Sequence, residues 1–227
     1  MARTLDPEAH ALRRDAFMDV AQRVITTRGY DALNIQEVLD DLGASKGAFY
    51  HYFASKAALF EATVARMVDA AVASMAPVVG DPNRTAPAKF HDMFTQIASL
   101  KTEQRDFIEA LIKVWFANEN VQMRDRFRRG MAVYLTPNFE RIIRQGDQEG
   151  VFDVQDAAST AIVLVTLIQG VNEIASQLFI DRKVDRITAH EAFDILDAFT
   201  QAANRVLGAA PGTVSFGDRA VLDQWFA

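Results

Sequence analysis

"GASKGAFYHYFASKAALF", residues 43–60, holds five rings in succession (Phe49, Tyr50, His51, Tyr52 and Phe53), two lysines (Lys46 and Lys56) and no carboxylate. The chain has 227 residues and a formal net charge of −6, so a carboxylate-free stretch of this length asks for a reason. Gly43 stops the apolar pattern ahead of it. Ala44 and Ser45 leave room only for a tight turn, and Ser45 is placed to cap a helix from about Lys46 to Tyr52. Upstream, Asn34 opens a helix with Glu37 as a capping-box partner. Ile35, Val38, Leu39 and Leu42 mark its apolar face. Two short helices about a Gly-containing turn predict a helix-turn-helix. The second helix of such a pair enters the major groove of DNA, with its N-terminal residues at base edges. A carboxylate there would face phosphates. That accounts for the missing acids, although an acidic chain argues at first sight against nucleic acid.

The rings divide by spacing. Phe49 and Phe53 lie four apart and are expected to face the core, while Tyr50, His51 and Tyr52 can turn polar tips outward. Gly47 lets a backbone come close to DNA. Lys56 falls in the first turn of the next helix, where a cation opposes the dipole, so an external anion is a reason for it. Arg3, Arg13 and Arg14 could reach a flanking groove, or could be a solvated helix end among Asp6, Glu8 and Asp15.

Working outward, Asp6, Pro7 and Glu8 predict the start of a first helix that Gly29 ends. Ser55 can cap a fourth helix with Leu59, Thr63, Met67 and Ala70 on one side and Pro77, Gly80 and Pro82 marking its end. Further helices are predicted over about 87–100, 102–117 and 118–148, the last with a kink or break at Pro137. "EGVF", 149–152, reads as a turn. Residues 157–179 are apolar almost all round, predicting a helix buried on more than one side. Residues 189–207 form the last helix, and the tail from Gly208 reads as irregular with an apolar end. No stretch alternates as a strand would, so the fold is expected to be all-α. The expected domains are a helix-turn-helix domain over 1–54, a connecting helix over 55–76, a ligand-binding and dimerisation domain over 77–207, and a tail over 208–227.

There is no cysteine, which removes disulfides and thiolate metal sites. The four histidines, His10, His51, His91 and His190, have no metal-ligand spacing. No nucleophile elbow or phosphate-binding glycine loop is present, so no enzyme, metal or cofactor is expected. No membrane-spanning run or signal core is read, and a cytoplasmic protein is expected. A helical interaction module or a helical enzyme remains as an alternative. "RDRFRRG", 124–130, reads as a solvated helix face or as a second anion site.

"NIQEVLDDLGASKGAFYHYFASKAALF" closely resembles the DNA-binding segment of the tetracycline-repressor (TetR) family of bacterial transcription regulators. Gly43, Ser45, Lys46, Gly47, Tyr50, Tyr52, Phe53, Lys56 and Leu59 carry the resemblance, which covers about residues 10–60. Leu39 and Leu42 stand where small residues are common, and Ala44 and Ala48 where Val and a hydroxyl are common. The resemblance implies DNA contacts by Asn34, Gln36, Ser45, Lys46, Gly47, Ala48, Tyr50, His51, Tyr52 and Lys56. It also implies a homodimer on a palindromic double-stranded operator, most often as a repressor, released by a small effector. Soft and aromatic side chains at Phe90, Phe94, Trp115, Phe116, Met123, Phe127, Met131 and Tyr134, with Asn172, suggest a pocket for an apolar or aromatic effector. Leu164, Ile168, Phe199 and Leu207, on the two most apolar late helices, are expected at the dimer interface.

Overall fold

The structure is a computed structural model and describes residues 7–116 and 121–226. Every regular element among the described residues is an α-helix: α1 (Pro7–Arg28), α2 (Ile35–Leu42), α3 (Lys46–Tyr52), α4 (Lys56–Gly80), α5 (Ala86–Glu103), α6 (Arg105–Trp115), α7 (Val121–Gln148), α8 (Ala157–Lys183), α9 (Ala189–Val206) and α10 (Arg219–Phe226). The expected cap at Asp6, Arg3, and a helix start near Asn118 lie outside the described residues. The helices group into two compact units. One takes in the described residues up to Ala70 and those of Glu103–Arg124. The other takes in Ala71–Thr102 and those from Asp125 onward.

The first unit is built around α1. Phe17, Met18, Val20, Ala21, Val24 and Ile25 recur at helical spacing and are all buried. Their stripe meets α2 and α6, with Phe107 and Leu111 of α6 also buried. The local signals for α2 and α3 hold. Asn34 Oδ1 accepts from Gln36 N at 2.9 Å and Ser45 Oγ from Ala48 N at 3.2 Å. Glu37 does not complete a capping box; its carboxylate meets Arg28 instead.

The second unit packs α5, α7, α8 and α9 with the end of α4 around Phe90, Phe139, Ile142, Ile143, Leu164 and Leu207. The two internal prolines do not break their helices. Pro77 lies within α4 and Pro137 within α7. After Pro77, Val78 and Val79 are buried, and that apolar surface offsets the backbone hydrogen bond that proline removes. Capping is strong where α8 and α9 begin. Asp156 accepts from Ser159 N at 2.7 Å, and Thr188 and Glu191 form a full capping box. Bonds from Ser159 hold the Asp156 carboxyl below its usual range, and bonds from Thr188 do the same for Glu191. Both contributions are present above the ordinary carboxylate range and are lost as the pH falls from it through the lowered folded-state range.

α8 is expected from its sequence to be buried on more than one side, and within this unit one face of it stays uncovered. Leu164, Val165 and Ile168 are in the core, yet Ile162 is 59% and Val163 48% exposed. By length and composition α4 and α8 could each cross a membrane, with mean hydropathy of 1.4 and 1.5, where the sequence reading had no such run. Each buries one face in protein here. The tail is not wholly irregular either, because Arg219–Phe226 form α10. Trp225 lies edge-on to Phe179 at 5.7 Å, and Phe226 lies 6.0 Å from Phe193.

Gly146 shows how tightly the second unit is closed. A Cβ there would lie 2.0 Å from Cδ2 of Phe152, a core residue whose backbone N–H bonds Gly146 O at 3.1 Å. Gly146→Ala is expected to cost about 1–3 kcal/mol by overpacking. The thermal midpoint should fall by about 2–4 °C per kcal/mol for a chain of this size. An unchanged midpoint in a calorimetric scan would contradict this packing.

Candidate nucleic-acid interface

The turn between α2 and α3 is set by one backbone conformation. Gly43 sits in the left-handed region at φ 55°, ψ 38°, which costs glycine little and a β-carbon more. Its N–H bonds Asp40 O at 3.3 Å, and Ala44 N–H bonds Leu39 O at 2.9 Å. Ser45 then caps α3, so the chain reverses within three residues.

α3 divides as its spacing predicts. Phe49 is 0% and Phe53 3% exposed. Both rings meet Phe17 of α1 edge-on, at 5.7 and 6.0 Å. The opposite face carries Lys46, Gly47, Tyr50 and His51, all exposed. Asn34, Gln36 and Ser45 are exposed beside it, and Ala48 is half-buried. A Cβ on Gly47 would meet only Ser45 Oγ at 3.8 Å. That is an ordinary contact, so no described neighbour demands glycine there.

Tyr52 is the exception. Its ring is half-buried, 5.7 Å from Phe17 and 4.6 Å from His10 of α1, so it packs across α1 as much as it turns outward. Lys56 also has internal partners. Its Nζ donates to Asp31 O at 3.2 Å and lies 4.4 Å from the Tyr30 ring centre. These contacts tie the start of α4 to the loop before α2, so the protein itself supplies a reason for a cation at that helix end. Arg13 and Arg14 are likewise turned inward. Arg13 donates to Leu42 O at 3.3 Å, and Arg14 lies 5.5 Å from the Phe53 ring centre.

Several acids of this unit are engaged by arginines. Arg23 holds Asp41, Arg28 holds Glu37, and Arg66 meets Asp19 at 2.8 Å and Asp15 at 3.8 Å. Each such exposed pair contributes at most about 1 kcal/mol to stability. Their effect on the field matters more, because paired carboxylates weaken the negative potential that the net charge would otherwise impose. Lys46 and His51 make no ion pair among the described residues.

The second unit treats the other expected sites unevenly. Phe90 is in its core, with Phe94, Met131 and Tyr134 packed against that core. Tyr134 OH donates to Val72 O at 3.0 Å, and burial raises its pKa. Phe127 also belongs to this unit, whereas Trp115, Phe116 and Met123 belong to the first. Asn172 is exposed and accepts from Lys101 Nζ at 2.9 Å. Burial lowers the Lys101 pKa, and the sequence reading overlooked that cation. An open groove of about 520 Å³ lies between Asp181, Arg186 and Ile195, with none of these residues in it. Leu164, Ile168 and Leu207 are 0%, 6% and 0% exposed within the unit's own core, so they have no side-chain surface to give a partner. Phe199 stays half-buried, 3.5 Å from where a Cβ on Gly170 would stand.

An all-helical chain that presents a carboxylate-free recognition helix behind a three-residue turn is of the helix-turn-helix DNA-binding class. Residues 17–63 match the family described as bacterial regulatory proteins, tetR family, so this segment is similar to the DNA-binding domain of that family. An HTH-type transcriptional repressor of Mycobacterium tuberculosis is 36% identical over 72 residues, 31% of this chain and 38% of that protein; the match thus spans well under half of either. A TetR transcription regulator from Haloarcula marismortui has a TM-score of 0.60 at 24% identity, covering 87% of this chain and 97% of that one. A transcriptional regulator from Saccharomonospora viridis, in complex with choline, has a TM-score of 0.50 at 24% identity, covering 73% and 84%. The two solved structures show likeness of fold.

Proposed function

We propose that the protein is a homodimeric, cytoplasmic repressor that reads a two-fold symmetric operator through α3 and leaves it when a small effector binds the larger unit. The observation that carries this reading is the exposed face of Lys46, Gly47, Tyr50 and His51, held on a core of Phe17, Phe49 and Phe53 with no carboxylate in α3. The repressor name of the Mycobacterium tuberculosis relative supports the direction of control. The choline-bound neighbour supports a small effector.

The parts would work as follows. Lys46 and the ring edges of Tyr50 and His51 meet phosphates and bases, with Asn34, Gln36, Ser45, Ala48, Tyr52 and Lys56 at the margin of the contact. α4 is the lever. Arg66 NH1 donates to Asp15 O at 3.3 Å and Arg66 NH2 to Gln22 Oε1 at 3.2 Å. A shift of α4 therefore carries α1, and with it the recognition helix seated on Phe17. The two units depart from the expected boundaries at 54 and 76: the first, up to Ala70 with Glu103–Arg124, would read DNA, and the second, Ala71–Thr102 with the residues from Asp125, would bind effector and partner. The dimer forms through the exposed faces of α8 and α9. Phe94, Met131 and Tyr134 suit an apolar or aromatic effector, with Lys101 and Asn172 as its polar end. An effector that favours the wrong spacing of the two reading heads by about 1–3 kcal/mol would lower operator affinity roughly 5- to 150-fold.

The test is binding of the purified protein to the DNA upstream of its own gene. Lys46→Ala and Tyr50→Ala are expected to weaken binding while helicity and dimerisation stay unchanged. Lys56→Ala is expected to weaken binding to all duplexes about equally and to lower the salt slope by about 1 for each phosphate that the lysine neutralises in each subunit. Upstream DNA bound no better than unrelated DNA, with both α3 variants behaving as wild type, would sink this reading and favour a helical interaction module.

A further inference from the structure

The proposed DNA contact accounts for His51 but not for its neighbour. His10, on α1 and 41 positions away in sequence, brings its ring centre to 5.5 Å from that of His51 at an interplanar angle of 80°. The same ring lies 4.6 Å from Tyr52, and His51 lies 5.2 Å from Tyr52. Two imidazoles and a phenol thus form one cluster at the end of the recognition helix. His51 is exposed and His10 half-buried.

The charges around the cluster decide what it can do. On α1 the charged neighbours are Glu8, Arg13 and Arg14, and the two arginines are turned to Leu42 O and the Phe53 ring. On α3 they are Lys46 and the phenols of Tyr50 and Tyr52. From α2, Asp40 accepts from Gln36 at 2.8 Å and Asp41 is held by Arg23. At the start of α4, Lys56 is turned to Tyr30 and Asp31. No carboxylate pairs with either imidazole among the described residues.

We propose that His10 and His51 act as a proton-accepting pair that takes up protons when the recognition helix meets DNA, so that DNA affinity rises as the pH falls through the neutral range. The inference rests on the DNA reading above. Imidazole is the side chain whose ordinary titration falls between about pH 5 and 8. Two imidazolium rings this close repel each other, and an anion brought beside them reduces that repulsion. Phosphate oxygens at α3 supply the missing negative charge and favour the protonated forms. The sign follows from linkage: a group protonated more fully in the complex than in the free protein binds a proton on association. Affinity then falls as the pH rises, with a slope in log K of up to about −1 per proton taken up. His10 is a positioning residue in this account. It holds the His51 and Tyr52 rings in place and shares the charge without reaching a base.

The experiment is fluorescence anisotropy with a labelled mixed-sequence duplex, at constant ionic strength, across about pH 6–8 where imidazole titrates. Wild type is expected to bind at least tenfold more tightly at the acid end. One proton in all would give up to about a hundredfold, and one per subunit of a dimer up to about 10⁴-fold. His10→Gln and His51→Gln should each flatten the profile, and the double variant should lose most of it while His91 and His190 remain as internal controls. Imidazole NMR titrations of wild type should show both rings holding their protons to higher pH with the duplex than without it, a readout independent of variant folding. A double variant with the wild-type slope, or imidazole titrations unmoved by DNA, would overturn the pair. Wild type that binds the duplex without pH dependence overturns this inference alone. Wild type that binds no duplex at any pH overturns it together with the DNA reading.

Discussion

Phe17→Ala is expected to abolish DNA binding without touching a residue that faces DNA. Phe17 is 0% exposed, and its ring meets Phe49, Tyr52 and Phe53 at 5.7, 5.7 and 6.0 Å. It is the surface of α1 on which the whole recognition helix rests. α3 has seven residues, too few to persist as a helix in water, so its geometry is borrowed from this packing. Removing the ring should cost about 3–5 kcal/mol through lost burial and a cavity, a large share of the about 5–15 kcal/mol that holds a typical domain. Phe17→Leu, which keeps most of the volume, should cost less than about 1.5 kcal/mol and retain binding. Thermal melts by circular dichroism and anisotropy on upstream DNA measure both effects. A Phe17→Ala protein with wild-type melting and wild-type affinity would mean that α3 does not depend on α1.

The second large effect is expected at the proposed dimer face. Ile162, Thr166, Gly170 and Ile174 follow one another at four-residue spacing along α8, with Ile162 59% and Ile174 37% exposed. Ile195 on α9 is 38% exposed, with Phe199 one turn beyond it, half-buried beside Gly170. This is apolar surface that the unit's own core leaves uncovered. A second copy presenting the same face would bury it in an isologous four-helix arrangement. Each isoleucine fully covered contributes about 1.5–3 kcal/mol. A carboxylate in its place would have to be desolvated without a partner. Ile162→Glu combined with Ile174→Glu should therefore yield monomer in multi-angle light scattering. Loss of two-headed binding should then weaken operator affinity by about 10²–10⁴-fold. Leu164→Glu is no substitute test, because Leu164 lies in the protomer core and its replacement would unfold the protein. A well-folded dimer in the double glutamate variant would place the interface elsewhere.

What could be read directly was whatever rests on neighbours within about four residues. Asn34, Gly43 and Ser45 specify the caps and the turn by their own side chains or by the lack of one. The Phe49–Phe53 spacing specifies which face of α3 turns inward. The absence of carboxylates from 43–60 carries the DNA reading whatever the rest of the chain does. Pro77 and Pro137 both lie inside helices, although α4 does end at Gly80, one of its expected markers. Their local preference is to break a helix, and the packing around each helix outweighs that preference.

The sequence by itself thus determined the helix-turn-helix class, the all-helical fold and the face that α3 leaves exposed, because helix caps, turn conformation and amphipathic spacing are short-range properties of the chain. Tertiary structure alone decided which apolar residues of α8 are core and which are surface. A stripe that is apolar almost all round has no preferred side until neighbouring helices cover one. It also decided that Lys56 lies over Tyr30, that Arg66 joins α4 to α1, and that Trp225 and Phe226 fold back as α10. The meeting of His10 with His51 is the plainest instance. Nothing in either local stretch predicts it, because ring contacts between separate helices depend on how those helices dock.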